Sequence, residues 1–401
     1  MAISKLKMTL GRKAMKVGLL RTMLEWRLSR RTARKPAGPF VVVLSMGRNG
    51  HSYSAARAAK SLGLKVLLIT DVPQTHEMLY SDALIALDPL TDLEAILKSL
   101  ADFRLIAVCV SIKHLLLPAQ ARIAEAFDLI SVGTDTGVLN NNKLAWRDAL
   151  AEAGVAQPAY GRDPKLFEHK PCIRKPISGT GSAGVIQLGP EDDKVRHAGP
   201  DSFFEAAVAG DQYDYEGVVE DGKPRILVRV FERYILQNGT FAAHFFLFNP
   251  VIDPDRDSSL TECAVKTLAA SRVVNGAFHV EMRMDGKQAV PIDFANRMGY
   301  ERFVSFASGE DFAKAHVNCF LPEKIDYSIS TPKPLVQYFC WTRESFDVAE
   351  RIRQTHPSRV FDSYMKPHKF AGEPCEGMIV LTHDSMDELL ALTKDLGVFA
   401  P

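Results

Sequence analysis

The apolar residues change period near Pro158, and few architectures accommodate both halves of that pattern. Between Phe40 and Thr70 the chain reads FVVVLSMGRNGHSYSAARAAKSLGLKVLLIT: an apolar run, a glycine-containing turn, an alanine-rich stretch and a second apolar run. This is the pattern of a β-α-β unit. Apolar runs at Ala83 to Leu87 and Leu105 to Val110, with helix-like segments at Leu90 to Leu100 and His114 to Phe127, extend it into an open parallel sheet. After Pro158 the period falls to two. PCIRKP and AGVIQL, the long runs YEGVVEDGKPRILVRVFERYI and FAAHFFLF, and the pair AFHVEMRM and QAVPIDFA all read as strands, with a helix-like run from Ser258 to Val274 among them. The expected fold class is α/β and α+β in several domains: an N-terminal open parallel sheet followed by two α+β lobes.

A chain of 401 residues is long enough for more than one core. The expected divisions are a basic extension at 1–38, the parallel-sheet domain at 39–139, a first lobe at 140–202, a second at 203–320 and a C-terminal α+β portion at 321–401. With 49 basic and 48 acidic residues there is no overall field to attract nucleic acid, so small molecules are the expected partners. The charge is uneven, however. Residues 1 to 35 hold eleven Lys or Arg and one acid, Glu25, interleaved with Met15, Leu19, Leu20, Met23, Leu24, Trp26 and Leu28. That is the composition of a basic amphipathic helix, which can pack on its own protein, lie on an anionic membrane or dock on a partner. Six scattered cysteines without a C-x-x-C pair argue against a zinc cluster or a disulfide framework and suit a reducing cytoplasm. No apolar run approaches the roughly 18 residues of a membrane span, and no secretory signal is evident.

The chemistry concentrates in the second half. PCIRKPISGTGSAGV, residues 171 to 185, carries Lys175 at a strand end and then a loop of Gly, Ser and Thr. Backbone N–H groups approach an anion closely where side chains do not intervene, so this loop suits phosphate; an ordinary hairpin turn is the plainer reading. Lys143 opens a helix, NNNKLAWRDALAEAGV, with Asn at its start and Gly154 at its end. By contrast, the first-half turn Gly47-Arg-Asn-Gly50 lacks the third glycine of a dinucleotide fingerprint. Further on, FHVEMRMDGKQAVPIDFANR reads as a hairpin. A three-residue loop of Asp285, Gly286 and Lys287 sets His279 opposite Asp293, with Glu281 on the same face. Two converging carboxylates suit a divalent cation; pairing with Arg283 and Arg297 accounts for them equally well.

The order of these features resembles the ATP-grasp superfamily, and within it the carboxylate–amine ligases, particularly L-amino acid ligase-like and carnosine-synthase-like enzymes. The resemblance covers about residues 39 to 320 and rests on NNKLAWRDALAEAGV, PCIRKPISGTGSAGV, AGDQYDYEGVV and FHVEMRMDGKQAVPIDFANRMG. It implies ATP and two Mg²⁺ ions, for which Mn²⁺ can substitute, with a small-molecule carboxylate and an amine as substrates. Lys143 and Lys175 match the lysines on the ATP phosphates; the loop from Ser178 to Gly184 matches the lid, with Ser178, Gly179, Thr180, Gly181 and Ser182 as its nucleotide-contacting residues. Glu205, Ala206 and Val208 lie in the segment whose backbone meets adenine. Gln212 stands where a ribose-binding Glu is usual. Glu281 and Asp293 match the metal ligands, and Arg297 matches the arginine that, with Lys175, acts on the reacting groups. The usual metal-binding Asn position is Ala295, and Asn296 follows one residue later, on the other side of a regular strand. Family members are often dimers. The implied reaction forms an amide through an acyl phosphate, releasing ADP and phosphate. The alternatives are another ATP-grasp reaction, such as bicarbonate activation, a dinucleotide-dependent oxidoreductase built on the first half, or a nucleotide-binding module without turnover.

Overall fold

A computed structural model describes residues 19–34, 37–46, 53–110, 112–179, 183–237, 240–370 and 373–401. The turn at 47–50 and lid residues Thr180, Gly181 and Ser182 lie outside the described residues, as do positions 1–18 of the basic extension. The chain divides into two compact units, one of residues 1–137 with 313–327, the other of 138–312 with 328–401.

The first unit holds the parallel sheet the sequence predicts. Strands β1 (Pro39–Leu44), β2 (Lys65–Ile69), β3 (Ala83–Ile85) and β4 (Arg104–Val110) align in the order β3-β2-β1-β4, all parallel. Their continuous Val, Leu and Ile runs follow from burial against helices: Tyr53–Ser61 and Leu93–Leu100 cross between strands, and Leu117–Ala126 packs back on β4 after it. The basic extension is helical over 19–33. Leu24 and Leu28 pack against Leu68, Met78 and Leu84, and the Thr32 hydroxyl donates to the Leu28 carbonyl and accepts from the Leu84 N–H at 2.9 Å. Over its described part, then, this helix packs on its own protein.

The second unit contains two main sheets. The smaller joins β5 (Tyr160–Gly161), β6 (Cys172–Pro176), β7 (Ile186–Leu188) and β8 (Ser202–Ala206) in the order β5-β8-β6-β7. The larger is built from β9 (Gln212–Glu220), β10 (Lys223–Gln237), β11 (Thr240–Phe248), β12 (Gly276–Asp285), β13 (Gln288–Ala295), β14 (Leu335–Cys340) and β15 (Val360–Tyr364). β16 (His368–Phe370) and β17 (Glu373–Cys375) form a separate pair, and β18 (Gly377–Thr382) returns to the large sheet, whose order is β13-β12-β9-β10-β11-β14-β18-β15. Asp221 and Gly222 join β9 to β10 with φ of +49° and +73°, the two left-handed residues that a two-residue hairpin matched to strand twist requires. A helix, Pro254–Ala270, starts on Asp253, whose carboxylate accepts from the Asp255 and Arg256 N–H groups, and buries Leu260, Ala264 and Leu268 against β12 and β13.

The β12–β13 register differs from the one the sequence suggests. Asp285 pairs with Gln288, so the loop is two residues, Gly286 and Lys287, and not three. A bulge then places Glu281 directly opposite Asp293 and His279 opposite Ala295, correcting the expected His279–Asp293 pair. The extra, unpaired residue is Ile292, and it follows Pro291, a residue without an N–H, on the edge strand β13, where prolines and bulges are characteristically found.

Candidate active site

The helix Lys143–Glu152 begins as the sequence suggests, with the Asn142 side chain accepting from the Ala145 N–H at 3.0 Å. The Lys143 N–H donates to the Ile177 carbonyl at 2.8 Å, tying the helix start to the chain just beyond Lys175. Both lysines reach the bulged edge of β13. Lys143 Nζ is 2.6 Å from Asp293 Oδ2 and also bonds Oδ1; Lys175 Nζ donates to the Ile292 carbonyl at 2.6 Å and meets Glu205 Oε2 at 2.8 Å. The unpaired bulge carbonyl thus holds the lysine. Burial raises the pKa of Asp293, but the Lys143 and Lys175 ammoniums and the Phe294 N–H outweigh it, holding the carboxyl well below the usual range.

Arg147, one turn on from Lys143 and fully buried, was not singled out from the sequence. Its Nε donates to Glu205 Oε1 at 2.6 Å, and its two terminal nitrogens donate to the Pro291 and Ile292 carbonyls at 2.9 and 3.3 Å. Two cations therefore share the Glu205 carboxylate, whose pKa burial raises but Arg147 and Lys175 bring below normal. The backbone of the adenine-matching segment is engaged as well: the Ala206 N–H donates to the Ala159 carbonyl at 2.8 Å, and the Val208 carbonyl accepts from Arg283 at 2.9 Å.

The register of β9 against β12 brings Gln212, His279 and Glu281 together with three acids that sequence reading missed, Asp214, Glu216 and Glu232. Glu216 faces His279, Asp214 faces Glu281, and Gln212 faces Arg283. These positions alternate along β9 and so share one face, with Glu232 of β10 opposite Gln212. Like charges directly opposite are destabilising. Here His279 intervenes: Nδ1 lies 2.8 Å from Asp214 Oδ2 and 3.2 Å from Glu216 Oε1, while Nε2 lies 3.1 Å from Glu281 Oε1. Burial lowers the pKa of the imidazole, but Asp214, Glu216 and Glu281 overcome this and raise it well above normal. Glu216 also accepts the Gly299 and Tyr300 N–H groups at 3.0 and 3.1 Å. A Cβ on residue 299 would stand 2.0 Å from Glu216 Oε1, so only glycine allows this grip on the loop after β13.

Gln212 has spent its hydrogen-bonding capacity. Its Oε1 accepts two bonds from Arg283, at 3.1 and 3.0 Å, and its Nε2 donates to Glu232 at 2.8 Å and Glu281 at 3.4 Å. An amide fits here where a carboxylate would add charge beside Glu232, whose pKa burial and the neighbouring Asp214 and Glu281 already push well above normal.

The donor set suits a hard divalent cation: Glu281 and Asp293 offer carboxylate oxygens from opposed positions, and Asn296 Oδ1 is a buried acceptor with no hydrogen-bond partner among the described residues. Asn296 is anchored through its Nδ2 to the Ala277 carbonyl at 2.7 Å, and no hydrogen bond among the described residues joins it to either acid. Arg297 is half-buried and donates to the adjacent Met298 carbonyl at 3.1 Å. Ser178 and Gly179, the described part of the lid, are exposed.

No protein-family description matches this sequence, and no curated protein matches it. Solved structures do. The chain is similar to an L-amino acid ligase from Bacillus licheniformis at 18% identity and a TM-score of 0.71, covering 90% of this chain and 98% of that one. It is similar to an N5-carboxyaminoimidazole synthetase from Staphylococcus aureus complexed with ADP, at 14% identity and a TM-score of 0.67, covering 90% and 97%. A carboxyaminoimidazole ribonucleotide synthase from Aspergillus clavatus complexed with ATP matches at 16% identity and a TM-score of 0.65, covering 89% and 97%. The chain therefore has the fold of the ATP-grasp ligases.

Proposed function

We propose that this protein is an ATP-dependent carboxylate–amine ligase, joining an amino acid or other small carboxylate to an amine. The observation that carries the reading is the convergence of Lys143 and Lys175, from a helix and from the small sheet, on the β13 edge where Asp293 faces Glu281. Two ammoniums beside two opposed carboxylates suit a metal-bound polyphosphate. In the reaction a carboxylate takes the γ-phosphoryl group of ATP, giving ADP and an acyl phosphate, and an amine then displaces phosphate to form the amide. Mg²⁺, held by Glu281 and Asp293 with Asn296 as a further oxygen donor, would neutralise phosphate charge. The chain's own part is to align and neutralise: Lys143 and Lys175 bind phosphate oxygens, and the Arg297 guanidinium, whose planar fork fits an oxyanion, orients the carboxylate. Ser178 to Ser182 cover the phosphates, and Glu205 to Val208 border the base. Gln212 holds Arg283 beside this segment. A reducing, cytoplasmic setting belongs to this reading, supported by six unbridged, buried cysteines.

The test is release of ADP and phosphate with Mg-ATP across a matrix of carboxylic acids and amines, with Glu281→Ala alongside. Release that needs both co-substrates and falls at least about a hundredfold in the variant is expected, since removing one group that stabilises developing charge costs about that much. Release driven by bicarbonate without an amino acid would instead assign the chain to carboxylation. Background release throughout, with ATP still bound, would overturn the reading.

A further inference from the structure

The helix over 19–33 has two apolar faces, and among the described residues only one is packed. At about 100° per residue, Leu24, Leu28 and Thr32 fall on the side that packs against Leu68, Met78 and Leu84. Leu19, Met23 and Trp26 fall within a stripe of about 60° on the opposite side. They are 64%, 60% and 61% exposed, with Leu20 flanking them at 44%. A helix that only had to dock on its own domain would carry polar residues there.

Charge identifies what the stripe faces. Arg27, Arg30, Arg31 and Arg34 are all exposed, and the Arg30 guanidinium lies 4.4 Å from the Trp26 ring centroid. Residues 1–35 carry a net +10 against −9 for the remainder, which together give the chain's +1. The preceding sequence continues the mixture, with Lys5, Lys7, Arg12, Lys13 and Lys16 among Ile3, Leu6, Met8 and Leu10. Trp and Leu entering the acyl boundary with arginines reaching the headgroups is how an interfacial helix binds. No helix among the described residues is long and apolar enough to cross a membrane. We propose that the Leu19–Met23–Trp26 face docks this protein on an anionic lipid surface, lying in the interface without spanning it. The acidic remainder is repelled by the same surface, so this edge alone is drawn to it.

The experiment is co-sedimentation of the full chain with vesicles of phosphatidylcholine, alone or with about 30% phosphatidylserine, at low and physiological salt. Binding to the anionic vesicles should exceed binding to neutral ones at least tenfold and weaken with salt. It should fall at least tenfold in Met23→Glu/Trp26→Glu, with the unfolding midpoint kept. Ile329→Glu, which alters an equally exposed apolar side chain in the other unit, should change nothing. Quenching of tryptophan emission by bromine-labelled lipid, present in the unmodified chain and lost in Trp26→Phe, reads the same contact without a charge change. Equal binding to neutral vesicles, no binding at low salt, or binding untouched by the double variant would overturn the proposal. Self-association abolished by that variant would assign the face to a second copy and overturn it too.

Discussion

The Arg147–Glu205 pair allows a quantitative test of what holds the site together. Both side chains are almost fully buried, with Nε and Oε1 at 2.6 Å. Arg147→Met keeps the length and apolar stem but strands Glu205 with Lys175 alone, frees the Pro291 carbonyl and leaves the Ile292 carbonyl to Lys175 alone. Removing one partner of a buried ion pair costs about 3–5 kcal/mol, and we expect about 4, roughly a thousandfold in the folding equilibrium. Glu205→Gln, which leaves two cations around a neutral amide, should cost about 3 kcal/mol by the same logic. If the two residues act as a pair, the double variant should cost less than the sum by about 2 kcal/mol or more. The assay is equilibrium urea unfolding followed by tryptophan fluorescence, since Trp146 is buried under the Arg147 guanidinium at 4.6 Å and reports on the second unit. A single-variant cost below about 1 kcal/mol, or strictly additive costs, would refute the reading of Arg147 and Glu205 as a coupled buried pair.

Two further outcomes follow from the buried groups. Gln212→Glu, although it restores the residue usual in the family, should destabilise the second unit by about 1–3 kcal/mol, because it replaces donors to Glu232 and Glu281 with a further carboxylate; a neutral or stabilising effect at pH 7, measured by urea unfolding, would count against the saturated-amide account. Burial depresses the His316 pKa to about 4, against which its hydrogen bond to the Val110 carbonyl works. The unfolded chain therefore takes up a proton first. Stability is intact above about pH 6.5 and falls by about 1.4 kcal/mol per pH unit toward pH 4. His316→Gln should flatten that slope by about one proton in unfolding curves taken from pH 7 to 4.5.

What the sequence made legible was local. The Asn142 cap before Lys143, the parallel-sheet runs, the Asp-Gly turn after β9 and the existence of the β12–β13 hairpin each depend on residues within a few positions of one another. The hairpin register was not legible from loop length alone, because it turns on a bulge, although Pro291 inside an apparent strand was the available signal. Asp214 and Glu216 sit in an alternating run that reads as half-solvated; β9 lies inside an eight-stranded sheet and is buried along nearly its whole length. Their partners, Glu232, His279 and Glu281, come from strands up to 67 positions away, and only the register of three strands brings them onto one face. Arg147 looked like any helix arginine until β13 and β8 were placed against it.

Pro291 has one more consequence. A large sheet ending in an open strand offers unpaired backbone groups to any extended chain that drifts alongside, which is a route to aggregation. On β13 the proline withholds an N–H, the bulge breaks the regular spacing, and Arg147 and Lys175 occupy two of the carbonyls. The edge that holds the candidate catalytic lysine is thereby also poorly suited to recruit a foreign strand, so substitutions that regularise it should trade solubility as well as chemistry.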